Sequence, residues 1–120
     1  MGYVDISKIE KGTGINVFTT IDKTTTSAPI DARGYNAVLV KIAVSAAVNW
    51  AVKIQGSFDR NGTYVDVYEM ANTGIAALMS YQTNADMIIL FKGIPDYIKV
   101  VATEDVDGAT CTVDIQLLNV

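Results

Sequence analysis

The chain has no histidine, one cysteine, two prolines, one tryptophan and five leucines in 120 residues, and only 18% of its side chains are charged. Each scarcity removes a class of function. Without histidine, the commonest general base of a nucleophilic triad is missing, as is the commonest metal ligand. The lone cysteine, Cys111, cannot close an internal disulfide, which excludes a secreted disulfide scaffold. Nine basic residues against thirteen acidic ones leave a formal net charge of −4, so the usual electrostatic driver of nucleic-acid binding is lacking. No apolar run approaches the roughly 20 residues of a membrane-spanning helix. The first eleven positions interleave Asp5, Lys8, Glu10 and Lys11 with apolar residues, so they hold no signal-peptide core. The expectation is a chain made in the cytoplasm that binds neither nucleic acid nor membrane, is not an enzyme, and uses no cofactor and no metal.

What the chain does have is β-branched residues. Valine (14), isoleucine (13) and threonine (12) dominate a composition that is 50% hydrophobic, and such side chains, stiff at χ1, pack well on pleated surfaces. At this length one core is expected and a second is not. From residue 37 onward apolar positions recur with period 2, the mark of strands with one buried face. Val38, Val40, Ile42 and Val44 alternate with Ala37, Leu39, Lys41 and Ala43. Trp50, Val52, Ile54, Gly56 and Phe58 define the dry side of the next strand, with Lys53, Gln55 and Ser57 on the wet side. Asp59-Arg60-Asn61-Gly62 reads as a hairpin turn with positive φ at its glycine, leading into Tyr64–Tyr68.

Asp86–Lys92 reads as a further strand, with Met87, Ile89 and Phe91 on one face and Ile88 and Leu90 on the other, ended by Gly93 and Pro95. Tyr97–Thr103 and Thr110–Leu118 follow as a final hairpin about the Asp107-Gly108 step, and Ile15, Val17 and Ile21 form a weaker early strand. With no helix-length 3.6-residue period, the fold class is all-β: a single antiparallel β-sandwich or jelly-roll of seven to nine strands over residues 15–120, preceded by an N-terminal arm, 1–14. Residues 70–85 fit this least well. They read as a helical turn or an apolar loop, and a loop would expose Leu78, Met79 and Tyr81.

Candidate chemistry is sparse. Cys111 alternates with core residues and reads as a small buried hydrophobe. Gly12-Thr13-Gly14 lacks the lysine and the helix of a phosphate loop. Glu104, Asp105 and Asp107 cluster at one turn without the remaining ligands of a calcium loop, so a solvated turn is expected. Tyr64, Tyr68, Tyr81 and Tyr97 are candidates for a sugar platform.

The run Val52-Lys53-Ile54-Gln55-Gly56-Ser57-Phe58-Asp59, then Asn61-Gly62-Thr63-Tyr64, then Ile94-Pro95-Asp96-Tyr97-Ile98-Lys99-Val100, closing with Gly108-Ala109-Thr110-Cys111-Thr112-Val113, resembles small β-sandwich virion structural proteins of tailed bacteriophages, of the capsid decoration or cement type. The resemblance spans about residues 35 to 118. It departs from the pattern in Arg60, which is inserted, and in Tyr64, where tryptophan is common. The resemblance implies a subunit on the capsid surface of the virion that braces the major capsid protein, assembled as a homo-oligomer, with a trimer favoured. The alternative is a carbohydrate- or receptor-binding module of a phage fibre or tail component. Trp50, Ile54, Gly56, Gly62, Pro95 and Tyr97 are expected to determine the fold rather than to do chemistry. The interface candidates are Tyr3, Ile6 and Ile9 on the arm, with Ile75, Leu78, Met79 and Tyr81.

Overall fold

The computed structural model describes residues 11–46, 49–70, 76–104 and 108–120. All secondary structure among them is β. Sheet A contains β1 (Lys11–Ile21), β12 (Cys111–Leu118), β4 (Ala37–Val44) and β10 (Met87–Lys92), side by side in that order. Sheet B is built on β11 (Tyr97–Glu104) and β5 (Trp50–Ser57). The far edge of β11 pairs with β2 (Thr25–Thr26) and β3 (Ile30–Asp31), and the far edge of β5 with β6 (Val65–Asp66) and β9 (Ser80–Thr83). A ribbon of β7 (Tyr68–Met70) and β8 (Ala76–Leu78) completes the set. The long strands alternate between sheets, β4 to β5 and β10 to β11 to β12, and every pairing is antiparallel. This is the winding of a jelly roll.

The period-2 positions meet between the sheets. Val38, Val40 and Ile42 of β4, Trp50, Val52 and Ile54 of β5, Ile98, Val100 and Ala102 of β11, and Cys111, Val113 and Ile115 of β12 are all buried. Trp50 lies opposite Glu104 of β11, one residue beyond the expected Tyr97–Thr103 stretch. Burial raises the Cys111 thiol pKa to about 11, so it packs as a thiol.

Several expectations need correction. The Asp107-Gly108 step does not close a hairpin, because β11 and β12 belong to different sheets; Gly108 has φ of 125°, and a turn signal reports local backbone and not which strand it feeds. Lys11 and Gly14, inside the expected arm, are paired with β12, opposite Leu118 and Gln116. Gly12 there is a close approach: a Cβ would stand 3.2 Å from the Leu117 carbonyl oxygen and 3.3 Å from the Tyr35 ring. Gly62 is absent from the positive-φ residues; what demands glycine is Ser57 Oγ, 2.7 Å from where a Cβ would sit.

Met79, expected at an exposed loop, is 1% exposed. Its N–H donates to the Val67 carbonyl at 2.8 Å and its carbonyl accepts the Ile54 N–H at 2.9 Å, which stitches the segment to β5 and turns the side chain inward. Tyr3, Ile6, Ile9 and Ile75 lie outside the described residues, as do Asp105 and Asp107.

Candidate docking site

β5 stops at Ser57 because its hydroxyl turns back on the chain. Ser57 Oγ donates to the Asp59 carbonyl at 2.7 Å and accepts the Asp59 N–H at 3.1 Å, a local bond that competes with the ladder. The Gly62 N–H donates to the same Asp59 carbonyl at 3.1 Å, and Tyr64 Oη donates to the Arg60 carbonyl at 2.8 Å. The turn therefore breaks the alternation one residue early. Phe58, expected on the buried side of β5, is 87% exposed.

Behind Phe58 the end of the sandwich stays open. Val65 returns in register with Gly56, and a Cβ on Gly56 would overlap the Pro95 ring and stand 2.9 Å from Val67 Cγ2. Gly56 thus lets the loop after β10 fold close over the sheet end without filling it. The result is a cleft of about 650 Å³ walled by Phe58, Val65, Val67, Ile94 and Pro95, with Asp59 and Asp66 at its polar margin. Val65 is 61% exposed. Two large apolar side chains are thus held in water by a tightly bonded turn, where burial against a partner is worth about 1.5–3 kcal/mol each.

The outer face of sheet B is polar and internally satisfied. Lys53 Nζ lies 3.0 Å from Asp66 Oδ1, and Gln55 donates to the same oxygen at 3.2 Å. These hydrogen bonds, Lys53 first, hold the Asp66 carboxyl below its ordinary pKa. Arg33 forms a 2.7 Å pair with Asp31, whose pKa drops to about 2 chiefly through that side-chain hydrogen bond, and the Arg33 guanidinium lies 5.5 Å over the Tyr97 ring. Lys99 Nζ lies 4.4 Å over the Tyr64 ring. Two of the four candidate sugar-stacking tyrosines therefore carry a cation over the ring, while Tyr68 and Tyr81 stand on other elements, at 57% and 44% exposure.

The outer face of sheet A is different. Leu90 pairs with Leu39 and Ile88 with Lys41, and Ile88 and Leu90 are 61% and 38% exposed. Among the expected site residues, Gly56, Gly62 and Pro95 converge on the cleft, and Tyr97 lies opposite Ser57 at its base. Trp50 and Ile54 are core, and Leu78 and Tyr81 are partly exposed. Period-2 reading missed Phe58 and Val65; the available signal was a serine two residues before an aspartate at a strand end. No group of three or more potential metal-ligating side chains occurs among the described residues, and no helix there is long and apolar enough to cross a membrane.

No protein-family model matches this chain, and no curated protein matches it. Among solved structures, the crystal structure of the SPBc2 prophage-derived protein YomS is similar to it, with a TM-score of 0.68 over 98% of this chain and 100% of that one, at 15% sequence identity. The likeness establishes a shared fold over essentially the full length of both.

Proposed function

We propose that the chain is a bacteriophage virion structural protein, a capsid decoration or cement subunit that docks through the Phe58 cleft on the major capsid protein. The observation that carries this reading is Phe58 itself, a phenylalanine 87% exposed at the rim of an apolar cleft. Aromatic anchors of this kind concentrate the binding energy of protein interfaces. A fold shared with a prophage-derived protein supports the phage setting, and the sequence resemblance supports the same class. In this role the protein binds and braces; it catalyses nothing.

The test is co-sedimentation with empty capsids of the same virus. Replacing Phe58 and Val65 together with serine is expected to lower capsid affinity by more than about tenfold, as loss of an interface anchor does. The melting temperature should stay close to the parent's, since solvent-facing substitutions act within about 0.5 kcal/mol. Undiminished capsid binding by the double variant would rule out the cleft as the docking site.

One observation favours a second reading, a glycan- or receptor-binding module of a fibre or tail: Phe58, Asp59 and Asp66 line one open cleft, and an aromatic side chain with carboxylate acceptors is the combination that sugars use. Saturable glycan binding that disappears in Phe58→Ala, with no capsid binding, would establish it.

A further inference from the structure

The two edges of sheet A are built differently. Edge strand β1 has register shifts between Lys11 and Gly14, Asn16 and Phe18, and Phe18 and Ile21, and Thr20 sits at φ 46°, with its N–H diverted to Thr112 Oγ1 at 3.0 Å. Such irregularities blunt an edge against further pairing. Edge strand β10 has none of them. It runs in unbroken register with β4 from Met87 to Lys92, contains no proline, and pairs with no other described element along its far side. Its solvent face carries Ile88 and Leu90 at the centre, where a charge would normally guard an edge, with Lys92 only at its end.

We propose that β10 pairs edge to edge with β10 of a second copy of this chain, antiparallel about a two-fold axis that passes midway between the two Ile89 residues, joining the two A sheets into one continuous sheet. The register follows from the side chains. With Ile89 opposite Ile89, Ile88 of each copy faces Leu90 of the other on the outer surface, Met87 faces Phe91 on the inner surface, and Asp86 faces Lys92 at both ends. Residues directly opposite in an antiparallel pair share a face, so this register joins apolar to apolar and acid to base throughout. Asp86 Oδ1 accepts the Val44 N–H at 3.0 Å, which anchors the carboxylate at that end of the strand. A shift of one residue would set outer-face side chains against inner-face ones. The self-complementary contact closes at two copies, where the sequence resemblance favours three. It is independent of what the Phe58 cleft holds.

The experiment uses the isolated chain and no capsid. Sedimentation equilibrium should find a dimer. Lys92→Glu and Asp86→Lys should each raise the dimer dissociation constant by about tenfold, since each turns two attractive cross-strand pairs into repulsive ones, and the double charge swap should restore it. Ile88→Lys should give a monomer with unchanged circular dichroism and melting temperature. Ile89→Cys should cross-link two copies under mild oxidation, because opposed Cα atoms at about 4.5–5.5 Å suit a disulfide, whereas Ile88→Cys should not; the native Cys111 is buried. A monomeric or trimeric parent, failure of the charge swap to rescue, or more efficient cross-linking of the Ile88→Cys variant than of Ile89→Cys would each overturn the proposal.

Discussion

Ile54 and Gly56 are neighbours on the same side of β5, and they illustrate the two ways a core position is constrained. Ile54 is fully buried with Trp50, Val52, Ile98 and Val100 in one cluster, so removing atoms leaves a hole. Ile54→Ala should cost about 2–5 kcal/mol. Gly56 has the opposite problem: the Pro95 ring and Val67 Cγ2 occupy the space a Cβ would need, and a proline ring has no flexible end to move aside. Gly56→Ala should therefore cost about 1–3 kcal/mol through overpacking and distort the cleft that Pro95 helps to wall. Urea denaturation of both variants, with tryptophan fluorescence from the fully buried Trp50 as the probe, measures the two effects. A shift below about 0.5 kcal/mol in either would mean that the core is not tightly packed at that residue.

At the scale of elements, the long strands β4, β5, β10, β11 and β12 were legible from alternation alone, because each presents three or more apolar side chains in phase to one core, whereas the 11-residue β1 showed only as Ile15, Val17 and Ile21. Among the two- to four-residue segments, β6 was read as the strand that follows the Asp59–Gly62 turn, and it does return against β5. β2, β3 and β9 were not legible: they exist because the edges of β11 and β5 accept them, a long-range cause that no local pattern encodes. Sheet membership was hidden for the same reason, which is why β11 and β12 read as a hairpin. The cleft was half legible: Gly56, Gly62 and Pro95 stood out as backbone punctuation, but Phe58 was concealed by an alternation that the Ser57 hydroxyl terminates one residue early. Segment β3, only Ile30 and Asp31, is held on β11 by two residue pairs and is followed directly by the Asp31–Arg33 ion pair, which gives it a pH signature. The Asp31 pKa falls from 3.8 to about 2 in the folded chain. A depressed carboxylate contributes stability above its unfolded pKa and loses it as pH drops through the folded value. Arg33→Ala should therefore be less stable than the parent at neutral pH, with the pH-dependent part of the gap closing between about pH 4 and pH 2. Both side chains are well exposed, so the effect should be small and salt-sensitive. Paired urea midpoints across that window check it, and a gap that stays constant would show that the ion pair contributes nothing.

For the molecule as a whole, the two ends of the chain carry very unequal shares of the fold. β1 and β12 lie side by side in sheet A, yet β12 is interior, bonded to β1 on one edge and β4 on the other, while among the described elements β1 pairs with β12 alone. Removing residues 1–10 leaves the whole β1–β12 ladder from Lys11 onward in the chain, so far-UV circular dichroism and cooperative unfolding should stay intact; if it also abolishes capsid binding, residues 1–10 belong to the docking surface. Removing residues 111–120 takes out Cys111, Val113, Ile115 and Leu117, none more than 4% exposed, together with the ladder that joins β1 to the rest of the sheet. Burying one such aliphatic side chain contributes about 1.5–3 kcal/mol, and the whole stability of a domain is only about 5–15 kcal/mol, so four lost at once, with two severed strand pairings, exceed what the remaining sandwich can bear. The shortened chain should show collapsed amide dispersion by NMR and no cooperative thermal transition. A cooperative melt in the chain lacking 111–120 would mean that sheet B and β4–β10 form a self-sufficient core, contrary to the central place of β12.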